Sequence, residues 1–174
     1  MKKQISRIKQ INRIKQAASV FLILALSFSL ISCGKKEDGK SVTIEGELTD
    51  LMAEIYAGID IDAETKEAMQ GYISEEINAE NEEYILGTTG IPYKEGICSV
   101  PMISSIAYQC VLLRVEPENV DTVKKTLQET ADVNKWVCVS AETVLVESRG
   151  DLVLFAMCRE DVAYALSSAF QSLK

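Results

Sequence analysis

Residues 107–129 read AYQCVLLRVEPENVDTVKKTLQE. Over residues 104–115 the β-formers and apolar side chains fall on both alternate sets, the pattern of a central strand covered on both faces. Pro117 stops the strand. Asn119 then stands where an N-cap is wanted, ahead of an apolar stripe of Val120, Val123, Leu127 and Ala131, with Lys124 and Lys125 on the wet side. The period continues to Trp136, which would extend the helix that far. A strand joined to an amphipathic helix by a short break is the unit from which a sheet with helices packed on it is assembled.

Downstream, TVLVE (residues 143–147) and LVLFAM (residues 152–157) flank Ser148-Arg149-Gly150-Asp151. A glycine within a polar break between two β-branched runs predicts a hairpin. A last helix carries Val162, Ala165, Leu166, Ala169, Phe170 and Leu173 on one face. Upstream, Leu48, Leu51, Met52, Ile55 and Tyr56 recur at helical spacing as far as Gly58. Asp62 is placed to cap a second helix bearing Ala68, Met69, Tyr72 and Ile73. YILGT (residues 84–88) reads as a short strand, and the breakers over residues 89–101 predict an irregular loop. The order is ααββαββα. It predicts an α+β fold, an antiparallel sheet of about four strands with helices packed on it as a two-layer sandwich.

The chain has 174 residues and no histidine. A Ser-His-Asp triad, a Cys-His dyad, a histidine-ligated zinc and a histidine general base are therefore excluded for the chain acting alone. Charge is unevenly divided. Six basic residues and no acid occupy the first 32 positions, whereas residues 33–174 hold 12 basic against 26 acidic residues, a net −14. So acidic a domain repels phosphate backbones, and no basic stripe interleaved with aromatics offsets this, so no nucleic acid is expected as a partner.

The basic start leads into AASVFLILALSFSLI (residues 17–31), fifteen residues without a charge, short for a membrane span and suited to a signal-peptide apolar region. It runs directly into Leu30-Ile31-Ser32-Cys33-Gly34. This resembles the bacterial lipoprotein signal, or lipobox: an aliphatic residue three before the cysteine and a small one just before it. The resemblance implies cleavage between Ser32 and Cys33, a diacylglycerol thioether on Cys33, and attachment to the extracytoplasmic face of the cell membrane. Each buried acyl methylene is worth about 0.8 kcal/mol, so two or three chains hold firmly. The alternative is an uncleaved signal anchor with Cys33 a bystander. Residues 33–42, polar and rich in Gly and Lys, read as a tether, and residues 43–174 as one domain able to bury about two-thirds of its unfolded surface.

The pairing of this signal with residues 107–129 and with AETVLVESRGDLVLFAMC (residues 141–158) resembles an uncharacterised family of small Gram-positive lipoproteins carrying a domain of unknown function. That resemblance implies a fold and a location and no active site.

Four further cysteines, Cys98, Cys110, Cys138 and Cys158, leave three alternatives open: buried free thiols, one or two disulfides, or a metal-binding or catalytic thiol. Without CxxC spacing or histidine, no metal and no cofactor is expected. Asp60, Asp62 and Glu64 alternate like the start of a calcium loop, but Thr65 and Gly71 stand where the loop needs Gly and Glu. The acidic run Glu75, Glu76, Glu80, Glu82 and Glu83 reads as a wet face. Residues 87–101, with Tyr93, Lys94 and Cys98, form the candidate binding loop, Cys98 being the one thiol to test as reactive. A non-catalytic, membrane-tethered binding module, with an envelope protein as partner, is the favoured expectation. A small solute-binding lipoprotein of a transport system, or an enzyme built on Cys98 or on carboxylates, are the alternatives.

Overall fold

The computed structural model describes residues 42–174. The signal segment, Ser32, Cys33 and the tether up to residue 41 lie outside the described residues. The elements, in chain order, are α1 (Leu48–Gly58), α2 (Ala63–Gln70), β1 (Ile73–Glu76), α3 (Glu82–Leu86), β2 (Glu95–Val100), β3 (Gln109–Arg114), a 3-10 turn (Pro117–Asn119), α4 (Val120–Thr130), β4 (Thr143–Arg149), β5 (Leu152–Cys158) and α5 (Glu160–Gln171). All strands pair antiparallel in one five-stranded sheet of order β1-β2-β3-β5-β4. The fold is α+β, an antiparallel sheet with helices packed on it.

The strand alternation sorts two cores. Cys110 and Leu112 of β3, with Leu152, Leu154 and Ala156 of β5, pack under α1 and α5 against Met52, Ile55, Leu166 and Phe170. Val111 and Leu113, with Val153, Phe155 and Met157, pack on the other face against Ile85 and Leu86 of α3 and Val123 and Leu127 of α4. The sheet is thus the middle of three layers, where two were expected. The continuous apolar runs in β3 and β5 have this cause: each residue faces one core or the other.

Three readings of local structure are corrected. YILGT is not a strand; Tyr84–Leu86 close the short helix α3, which ends where Gly87 adopts φ 76°. Its Ile85 and Leu86 are fully buried, and the adjacent pair suits a helix turn seated on a core as well as it suits a strand. The second helix stops at Gln70, with Gly71 as its C-cap, so Ile73 opens an edge strand instead. That strand is four residues long and wholly exposed, so periodicity carries almost no signal there. Residues 95–100 form β2, whose Gly96 lies so close to Leu113 that a Cβ would come within 2.5 Å of its Cδ2. The loop expected over residues 87–101 therefore shrinks to 87–94. Also, α4 ends at Thr130, with Ala131 extended, short of Trp136.

At the turn end of the sheet Arg114 makes four contacts. Its Nε donates to Glu95 Oε1 at 2.6 Å, Nη1 to Asp151 Oδ2 at 3.0 Å and to the Ile44 carbonyl at 2.7 Å, and Nη2 to the Gly46 carbonyl at 2.7 Å. Asp151 Oδ1 accepts from the Ile44 N–H at 2.9 Å, and the Asp151 N–H donates to the Val42 carbonyl at 3.1 Å. The chain thus enters the fold clasped to the β4–β5 turn.

Candidate functional site

Of the residues singled out from sequence, Tyr93 is half-buried against the α3/α4 core, and burial raises its hydroxyl pKa. Lys94 lies at the surface, paired to Glu116 at 2.9 Å. Cys98 is fully buried within β2, its thiol pushed well above the ordinary value, first by desolvation and then by Cys110. The expected loop thiol is therefore a strand core residue and holds no thiolate at neutral pH. Cys110 and Cys158 are also buried, each pushed up to about 12, chiefly by desolvation, and Cys138 alone is exposed. None of the four is bonded to another. Register gives the reason. Cys98 and Cys110 point to opposite faces, and Cys158 stands two residues beyond Ala156, the partner of Cys110, a diagonal spacing of roughly 7–8 Å that a disulfide does not span. Asp62 is the cap it was read to be, its Oδ1 accepting from Thr65 N–H at 2.9 Å. Among the described residues no group of three or more Cys, Asp or Glu is disposed to hold a metal ion, and no helix is long and apolar enough to cross a membrane.

A different constellation comes together around Lys135, in the segment after α4. An Asx turn, with Asn134 N–H donating to Asp132 Oδ1 at 2.9 Å, shapes the chain there, and Ala141 N–H to the Val133 carbonyl at 2.9 Å closes the segment back on itself. Lys135 Nζ donates to the Tyr84 carbonyl at 2.5 Å and to Gln109 Oε1 at 2.8 Å, and lies 4.1 Å from the centroid of the Tyr84 ring. Gln109, 2% exposed, donates its amide to the Ile85 carbonyl at 2.8 Å, and Thr130 Oγ1 donates to the Leu86 carbonyl at 2.9 Å. Three carbonyls left open at the end of α3 are thus closed by three side chains, and a cation at a helix C-terminus is favourably placed. Burial disfavours the charged form and lowers the pKa of Lys135 below the usual lysine range.

Two grooves meet at this lysine. One, of about 310 Å³, lies between α3 and the end of α4. The other, of about 210 Å³, lies over the part of the sheet face that neither helix covers, and Met102, Ile103, Ile106 and Trp136 line it. Its apolar side chains are left in water: Tyr84 is 69% exposed, Met102 76%, Ile103 59% and Ile106 39%. Sequence reasoning missed this site, because Ile106 was assigned to a strand and Trp136 to a helix. The available signal was an apolar MISSI stretch (residues 102–106) caught between Pro101 and the strand proper. Compared with family models, with curated proteins and with solved structures, the chain matches none.

Proposed function

We propose that this chain is a membrane-anchored extracytoplasmic lipoprotein, lipidated at Cys33, that acts without catalysis as a binding module for an envelope protein, and that the Lys135 cleft is its binding surface. The observation that carries the reading is the cluster of solvent-exposed Met102, Ile103 and Ile106 around a groove with an ammonium on its wall. Contiguous exposed apolar patches rimmed by polar residues mark interaction sites and ligand-binding grooves. Cys98, the thiol on which the enzyme alternative was built, is buried and protonated. The resemblance to small Gram-positive lipoproteins belongs to the same proposal.

The cleft has a defined place in the fold. Gln109, at the cleft, opens β3, and Arg114, at the clasp, ends it. Five residue steps of about 3.4 Å separate them by about 17 Å. The clasp that holds Val42 and the cleft thus stand at opposite ends of β3.

The test has two parts. The intact mass of protein extracted from its native membrane is expected to begin at Cys33 with added diacylglycerol, and a mass beginning at Met1 without lipid would sink the anchor. A photoreactive residue at position 103 is expected to crosslink an envelope protein, while one at Tyr164, exposed on α5, does not. Equal adducts at both positions, or none at 103, would remove the cleft from the proposal.

A further inference from the structure

We infer that the smaller groove takes the C-terminal residue of a polypeptide, its apolar side chain among Met102, Ile106 and Trp136 and its carboxylate on the Lys135 ammonium. This rests on the binding reading above and adds the class of ligand. A lysine ammonium has three hydrogens, and the oxygens of Tyr84 and Gln109 take two of them. The third meets no oxygen acceptor among the described residues, on a wall that both grooves share. A hydrogen bond between two ionised groups is shorter and stronger than one between neutral groups.

Charge narrows the ligand. Among the described residues Lys135 is the one cation lining either groove, and Glu75, Glu83 and Asp132 line them as well. A run of acids would meet those carboxylates and the net −14 of residues 33–174. A single carboxylate at the end of a neutral chain meets the ammonium at contact distance; charges farther than about 8 Å are screened at physiological salt, which leaves Glu75, Glu83 and Asp132 as the acids that oppose it. Size narrows it further. At about 210 Å³ the groove falls below the roughly 300–1,000 Å³ that encloses a whole small ligand. It has room for one side chain. A free fatty acid would leave most of its chain in water, whereas a polypeptide end has a body that belongs there.

Lys135 also holds the end of α3, so its loss could loosen the groove itself, and the experiment has to separate the two effects. A fluorescein-labelled peptide ending in phenylalanine, as free acid and as C-terminal amide, is titrated with the purified full chain and anisotropy is read. The acid is expected to bind at least tenfold more tightly than the amide. Lys135→Met should bring the acid down to the level of the amide and leave the amide where it was, and Ile106→Glu should weaken both. Equal binding of acid and amide would overturn the carboxylate assignment while leaving the cleft as a binding surface. Lys135→Met weakening both forms alike would make the lysine purely structural and overturn it as well. Octanoate displacing the peptide at equal concentration would overturn the polypeptide assignment in favour of a free amphipathic acid. No binding of either form would overturn the inference alone if the adduct at position 103 persists, and the binding reading with it if the adduct is absent.

Discussion

Cys98 shows how much one residue's surroundings decide. In sequence it stands between Ile97 and Ser99, shortly after Pro92 and Gly96, and reads as a loop thiol. In the fold it is a strand residue facing the α3/α4 core, where a small sulfur side chain behaves as a hydrophobe. The thiolate is the reactive form, and desolvation works against it at Cys98, Cys110 and Cys158 alike. Alkylation of the folded domain at pH 8 is therefore expected to modify Cys138 alone, and alkylation in denaturant to modify all four, read by intact mass. A second modified thiol in the native protein would mean that one of the three strands opens. The apolar runs around Cys110 and Cys158 announce burial in the sequence, whereas the breakers before Cys98 hide it, because burial there depends on which elements come to cover the strand.

At the scale of the element, the hairpin of β4 and β5 was legible and the edge strand β1 was not. Two β-branched runs around Gly150 announce a hairpin, and a two-residue connection needs φ above zero at its first position, which Gly150 supplies at 59°. Beta strand β1 has only ISEE to offer, fully exposed and paired on one side. The glycine has a second role that only packing reveals. A Cβ there would collide with the Val42 carbonyl oxygen, the group that accepts from Asp151 N–H. Gly150→Ala thus strains the turn and pushes the entering segment away, and a loss of about 2 kcal/mol or more is expected. Urea unfolding measures it. A loss no larger than a few tenths would show that Val42 is free to shift.

For the molecule as a whole, the clasp at one end of β3 and the cleft at the other define its polarity. Arg114 and Asp151 have side chains only 13% and 6% exposed, and together they hold the backbone of Val42, Ile44 and Gly46. Taking away one member of a buried pair leaves the other uncompensated, so Arg114→Met is expected to cost about 3 kcal/mol. It should also open residues 42–47 to cleavage in limited proteolysis, read by mass. An unchanged pattern of cleavage would mean that the apolar contacts of Ile44 hold the segment without the clasp.

The sequence by itself determined the class of fold, because strand and helix periods survive wherever a segment is long and one face or both are buried. β3, α4, the hairpin and α5 all meet that condition. It also determined what chemistry a chain without histidine does not perform. Only the tertiary structure decided that the sheet carries helices on both faces, that Cys98 is sealed in, and that Lys135, Tyr84, Gln109 and Ile106 share one cleft. They come from three stretches of the chain: Tyr84 from α3, Ile106 and Gln109 from the start of β3 and the residues just before it, and Lys135 from the segment after α4. Their meeting depends on strand order and on how the segment after α4 folds back, and neither leaves a period in the sequence.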